Sequence, residues 1–342
     1  MSNRLISPFR ALQRRSLLAT ALSAALATTL ALAGASASAQ SAKPAQLRIG
    51  FQKSASLLTL QKAQGTLEQR LSPLGVAVKW VEFPAGPQLL EGLNVGAVDV
   101  GYVGEAPPIF AQAAGANFVY IGNDPAAPEA EAEAIVVPKD SALKSVADLR
   151  GKKVALNKGS NVHYLLVKAL EKAGLKYSDI QPVFLPPADA RAAFERGAVD
   201  AWVIWDPFLS AVEKQSGARQ LADGRGVVNN YSYYLAERGY ASQYPQVIQA
   251  LFDDSVARGR WLKTHLDEAA ALIAPLQGLD IEVVKQSLHR YQFNVQPLNA
   301  SVAAEQQKIA DTFADLKLIP KPIRIADALP GALPGARAVA QK

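Results

Sequence analysis

One stretch of this chain occurs twice, and the repetition limits the possible folds severely. Residues 96–110 read GAVDVGYVGEAPPIF, and residues 197–208 read GAVDAWVIWDPF. Each copy opens with a glycine suited to ending a helix. An apolar run follows, of the kind found in buried parallel strands. An acidic residue then stands at the strand's exit, and proline opens the next helix, where a missing N–H is tolerated. In this register Glu105 falls opposite Asp206, and Gly104 opposite Trp205. A second echo precedes each copy: LRIGFQKS (47–54) compares with KKVALNKG (152–159). Proline turns leading into helices follow each of these, FPAGPQ (83–88) and LPPAD (185–189). Two echoes in one order at nearly one offset predict an α/β protein made of two βαβ-based lobes. In such open sheets ligands sit beyond the carboxyl ends of the strands, which here means the two acidic turns.

The first 39 residues read as a signal peptide rather than as part of the fold. Arg4, Arg10, Arg14 and Arg15 form a basic start, residues 17–33 are Ala/Leu-rich, and Ala37-Ser38-Ala39 is a cleavage pattern. Gln13-Arg14-Arg15-Ser16-Leu17-Leu18 is near a twin-arginine pattern, so the export route stays open. The 303 residues that follow suffice for two lobes of ordinary size. Their balance of 32 basic to 30 acidic residues, a net charge of +2, gives no basic surface of the kind nucleic-acid binders carry. Cysteine is absent, which removes both a disulfide scaffold and a thiol nucleophile.

In order, strands are expected at 47–51, 76–83, 98–103 and 117–122, with helices at 57–71, 88–93 and 107–114. After a crossing, strands follow at 152–156, 179–185 and 199–205, with helices at 162–173, 188–196 and 208–215. Residues 229–235 are extended and aromatic, which suits a crossing back, and 243–316 are expected to be helical throughout. Lobe I is thus assigned to 45–137 and 235–322, and lobe II to 138–234. Residues 323–342, with the repeated ALPGA, read as a disordered tail.

Enzyme motifs are missing: there is no G-x-S-x-G elbow, P-loop or G-x-G-x-x-G, and Lys158-Gly159-Ser160 reverses the Walker order. His163, His265 and His289 form no metal pair. What the chain offers instead is helix amino termini, after Lys53, Glu105 and Gly159, which converge if the lobes face each other. Each such end carries roughly half a positive charge and several N–H groups without helical partners, enough to hold one monovalent anion without arginine. Ser160 and Asn161 can add side-chain donors, Gln52 and Gln88 amide donors, and Trp205 an apolar wall, although one of Trp202 and Trp205 suits the core. Ser160 suits both an N-cap and a ligand contact. Glu105 is awkward beside an anion; it can cap the next helix or meet a cationic group of the ligand.

Several segments resemble the aliphatic sulfonate-binding proteins of ABC importers: EFPAGPQ (82–88), PPIFAQAAG (107–115), KGS (158–160) with His163, PADARAAF (187–194) and WDP (205–207). The resemblance runs from residue 47 to about residue 320. It implies a type II periplasmic solute-binding protein, two βαβ lobes joined by a two-crossing hinge. It further implies a monomeric carrier, not an enzyme, that needs no cofactor or metal. Such a protein delivers an alkanesulfonate to an inner-membrane permease with a cytoplasmic ATPase. It places Gln52, Gln88, Gly104, Glu105, Ser160, Asn161, His163 and Asp206 in or near the pocket. Glu105 stands where some relatives carry Asp, which leaves the accepted chain length open. Carriers of taurine, nitrate or aromatic sulfonates share the fold, as do enzymes of pyrimidine and menaquinone synthesis; the export signal argues against the enzymes.

Overall fold

The computed structural model describes residues 46–125 and 130–330. The expected signal peptide and residues 331–342 of the expected tail lie outside the described residues. Strands β1 (Gln46–Phe51), β2 (Ala77–Glu82), β3 (Val100–Gly104), β4 (Phe118–Asp124) and β10 (Ser232–Glu237) form one sheet in the order β2-β1-β3-β10-β4. Strands β5 (Glu133–Val137), β6 (Lys153–Leu156), β7 (Gln181–Phe184), β8 (Ala201–Trp205) and β9 (Arg219–Asp223) form the other, in the order β7-β6-β8-β5-β9. The two orders are one permutation. In each sheet the first three strands are parallel and the fourth, which arrives from a crossing, is antiparallel to both neighbours.

The repeated GAVD accounts for the shared register. Asp99 exchanges two bonds with Arg48, its N–H donating to the Arg48 carbonyl at 2.8 Å and its Oδ2 accepting the Arg48 N–H at 2.7 Å. Asp200 does the same with Lys153, at 2.9 and 2.8 Å. Each aspartate thereby fixes the central strand against the strand that opens its lobe, pairing Ile49 with Val100 and Val154 with Ala201.

The helices are α1 (Ser56–Gln64), α2 (Thr66–Leu71), α3 (Gly86–Asn94), α4 (Ala106–Ala113), α5 (Asn161–Lys172), α6 (Pro187–Glu195) and α7 (Phe208–Ser216). A C-terminal group follows: α8 (Arg238–Gln243), α9 (Pro245–Leu262), α10 (Leu266–Gln277), α11 (Ile281–His289) and α12 (Ala300–Asp315). Apolar clusters cover both faces of the first sheet. Alternation along β10 divides Tyr233 and Leu235 into one cluster, Tyr234 and Ala236 into the other. A third cluster fills the second lobe around Trp202, which is fully buried.

Four expectations need correction. The helix expected at 57–71 breaks at Gly65, whose φ of 63° is a left-handed conformation that glycine adopts without a Cβ clash. Residues 133–137 belong to the second sheet, and 232–234 to the first, so the lobe boundaries shift by a few residues at each crossing. The stretch 243–316 is not continuously helical: 290–299 leave the helix, and Gln296 forms a bridge with Asn123 at the end of β4. The start of the expected tail is ordered, because Ile325 and Ala328 in a short 3-10 turn are buried against the cluster containing α12.

Candidate ligand-binding cleft

The cleft lies where the carboxyl ends of the parallel strands of both sheets meet the turns that start their helices. It encloses about 420 Å³ of empty space, part of it open to solvent. Gln52 and Ser54 come from the turn after β1, Gly86 from the start of α3, and Gly104 and Pro107 from the β3–α4 turn. Ser160 and Asn161 bring the amino terminus of α5 from the other lobe, and Trp205 brings the end of β8. Tyr102, Asn230, Ser232 and Tyr291 complete the lining.

None of these lining residues is charged, so any charge complementarity must come from dipoles. Helices α3, α4 and α5 present their first turns here and α1 starts just after Ser54; none of the four has a side-chain N-cap bond. Their ends are not equivalent donors. Pro107 and Pro108 remove two N–H groups from the first turn of α4, so α4 supplies mainly wall. Ser160 takes the N-cap position of α5 with extended backbone, but its hydroxyl donates to the Asn157 carbonyl at 2.7 Å instead of capping. The His163 N–H donates to the Ser160 carbonyl at 3.0 Å, so the N–H groups of Asn161 and Val162 are the first-turn donors of α5 left to a guest. Close approach is needed at Gly104: a Cβ there would stand 2.7 Å from Asn161 Oδ1 across the cleft.

The structure brings together Gln52, Gly104, Ser160, Asn161 and Trp205 among the residues expected from the sequence. Gln52 also donates to the Tyr102 carbonyl at 3.3 Å. Gln88, two residues after Gly86 in α3, lies outside the lining, and its Oε1 is buried without a partner. The other three lie outside the lining, each for a structural reason. His163 is fully buried among Phe110, Phe184, Phe313 and Tyr177. Its Nδ1 accepts the Gly159 N–H at 3.3 Å and its Nε2 meets the Tyr177 hydroxyl at 2.9 Å, so it braces the α5 loop from behind. Burial, with Lys158 nearby, lowers it to about 4, so the ring is neutral at physiological pH.

Asp206 is fully buried and faces α7, not the cleft. Its Oδ1 accepts from the Ser210 N–H at 2.9 Å and hydroxyl at 2.6 Å, and its Oδ2 from Arg290 at 3.2 Å. Burial raises its pKa, with Arg290 and Ser210 opposing. Glu105 neither caps α4 nor lines the cleft; its Oε2 accepts the Tyr231 N–H at 3.0 Å from the second crossing. Burial pushes it up to about 8 despite that bond.

Sequence reasoning missed Ser54, Gly86 and Pro107, which it read only as turn or helix-start residues, and Tyr102, Asn230, Ser232 and Tyr291 as lining residues. Ser232 pairs directly with Gly104, and Asn230 lies two residues before it on the crossing. That pairing is tertiary and leaves no local signal. Tyr291 sits in the segment mistaken for helix, where Pro297 and the run Gln292-Phe293-Asn294-Val295 were the available warnings.

A profile of the NMT1-like family matches residues 40–276. Over 302 residues, covering 88% of this chain and 93% of the relative, the chain is 46% identical to the putative aliphatic sulfonates-binding protein of Escherichia coli (strain K12). Among solved structures it is similar to the alkanesulfonate-binding protein of Xanthomonas axonopodis pv. citri bound to MOPS. That match has a TM-score of 0.81 and 45% identity, and covers 84% of this chain and 99% of the other. The periplasmic aliphatic sulphonate binding protein of Escherichia coli matches with a TM-score of 0.76 and 46% identity, covering 85% and 99%.

Proposed function

This chain belongs to the NMT1-like family, among the aliphatic sulfonate-binding proteins, and we propose that it captures alkanesulfonates in the interlobe cleft and carries them unaltered. The observation behind this reading is a cleft lined by uncharged donors at several helix amino termini. A sulfonate is a permanent monoanion whose three oxygens accept hydrogen bonds. First-turn amides and neutral side chains can satisfy those oxygens while the helix dipoles balance one charge. Sulfate carries a second charge, which a cleft without Lys or Arg in its lining leaves unbalanced.

In this reading the α5 amino terminus with Ser160 and Asn161, together with Gln52 and Gly86, surrounds the head group. Tyr102, Trp205 and Tyr291 form the wall for the alkyl tail. Both lobes supply contacts, so the ligand biases the hinge toward closure. The named periplasmic relative supports export through the N-terminal segment. An ABC permease with its cytoplasmic ATPase is the receiver this reading requires. Affinity should be micromolar or tighter, about −8 kcal/mol. Isothermal titration of the protein with C1–C6 alkanesulfonates, taurine, nitrate and sulfate tests it. Tight sulfate binding without alkanesulfonate binding would overturn the reading.

A further inference from the structure

Two carboxyls stand one step behind the cleft without lining it. Glu105 follows Gly104, and Glu133 accepts the Asn161 side-chain amide at 2.5 Å; Gly104 and Asn161 both line the space. Glu105 and Glu133 are fully buried, and the Oε1 of each has no hydrogen-bond partner. The second crossing links them. Asn161 Nδ2 also donates to Asn230 Oδ1 at 3.1 Å, and the next residue, Tyr231, donates its N–H to Glu105. Asn230 holds a left-handed backbone, φ 53°, at this junction.

Among the described residues no cation acts on either carboxyl. Arg290 is engaged by Asp206 and Glu213. The titratable groups that act on Glu105 and Glu133, apart from each other, are Glu305 of α12, Tyr164 of α5, Tyr231 and Tyr233 beside and on β10, and Tyr291. None of these supplies positive charge. A sulfonate cannot itself be neutralised by protonation, so repulsion between it and an uncompensated carboxyl is relieved only by protonating that carboxyl.

We propose that anion capture is coupled to protonation of the Glu105–Glu133 pair, so that the cleft takes up a proton as the anion enters. The coupling rests on the reading of the cleft as an anion site. Burial already pushes Glu105 up to about 8, and it raises Glu133 well above the ordinary carboxylate range, with Glu105 adding to the effect. The anion raises both further. Affinity is therefore full while the pair is protonated and falls as pH rises through about 8, by about tenfold per pH unit for each proton coupled. Asp124, also buried and pushed up to about 7, is tied to the Asn294 N–H and titrates independently of the pair.

The test is calorimetric titration of the purified protein with 1-propanesulfonate from pH 6 to pH 10. Each pH is run in two non-sulfonate buffers of different ionisation enthalpy, which counts protons exchanged. The expected result is net proton uptake at pH 8–9 and a weakening affinity above it, with a flatter profile in Glu105→Gln and in Glu133→Gln. Binding without proton exchange, or the same pH profile in wild type and both variants, overturns the coupling. Absence of sulfonate binding at every pH defeats the functional reading instead, and a ligand-free measurement then judges the pair. Wild type should lose thermal stability relative to Glu105→Gln as pH rises from about 5 to 8; parallel curves across that range sink the proposal.

Discussion

Asp206 and Glu105 occupy corresponding positions, each fully buried at the exit of a lobe's central strand, yet their surroundings diverge. Asp206 is held by Ser210 and by the guanidinium of Arg290, which also reaches Glu213 at 2.8 Å. Its charge is compensated, and it fastens α7 to the segment after α11. Glu105 has the Tyr231 backbone N–H on its Oε2, an unpartnered Oε1 and, among the described residues, no cation beside it. One turn of the duplicated lobe has become a fixed joint. Its counterpart has kept a titratable group beside the cleft. A shared sequence pattern therefore fixes the place of a carboxyl, while distant residues fix its charge state.

The largest expected effect breaks the compensated side. Arg290→Met leaves Asp206 buried without its cation, a loss of about 3–5 kcal/mol in a buried pair. Urea unfolding at pH 7 measures it, and a change below about 1 kcal/mol would put the two turns on the same footing. Next comes Glu105→Gln. The folded pKa of Glu105 is raised from 4.5 to about 8, so the acid weighs nothing against the fold below 4.5 and destabilises it progressively as pH rises through 8. The variant should therefore exceed wild type by roughly 2–4 kcal/mol at pH 9 and match it near pH 4. Smaller effects concern the residues just before the two acids. Gly104→Ala places a Cβ against Asn161 Oδ1 and should weaken 1-propanesulfonate about tenfold, about 1.4 kcal/mol. Trp205→Phe trims a wall and should cost about threefold in the same titration. Equal losses at both positions would mean that the two turns contribute alike.

Much of this architecture was legible because the repeated residues act locally. Gly96 and Gly197 end helices in left-handed conformations, at φ 71° and 69°, and Asp99 and Asp200 lock the same strand pairing in each lobe. Gln52, Ser160, Asn161 and Trp205 were readable for a related reason: strand exits and helix starts announce themselves. Strand β9 was not, since Arg219–Asp223 is a half-buried edge strand with little apolar alternation. Tyr291 was hidden by the Asn123–Gln296 bridge, a pairing between residues 173 positions apart. His163 and Asp206 were placed near the pocket by the family resemblance and, for Asp206, by the repeat, whereas packing sets the one in an aromatic cluster and the other against α7.

The central claim is that an organic monoanion sits among helix amino termini between the lobes. A crystal structure with 2-bromoethanesulfonate, whose bromine scatters anomalously, tests it most directly. The account predicts a bromine peak against Tyr102, Trp205 or Tyr291, with sulfonate oxygens within hydrogen-bond reach of the first-turn amides of α5. An anomalous peak outside the cleft, or a head group held by a Lys or Arg side chain, would contradict it.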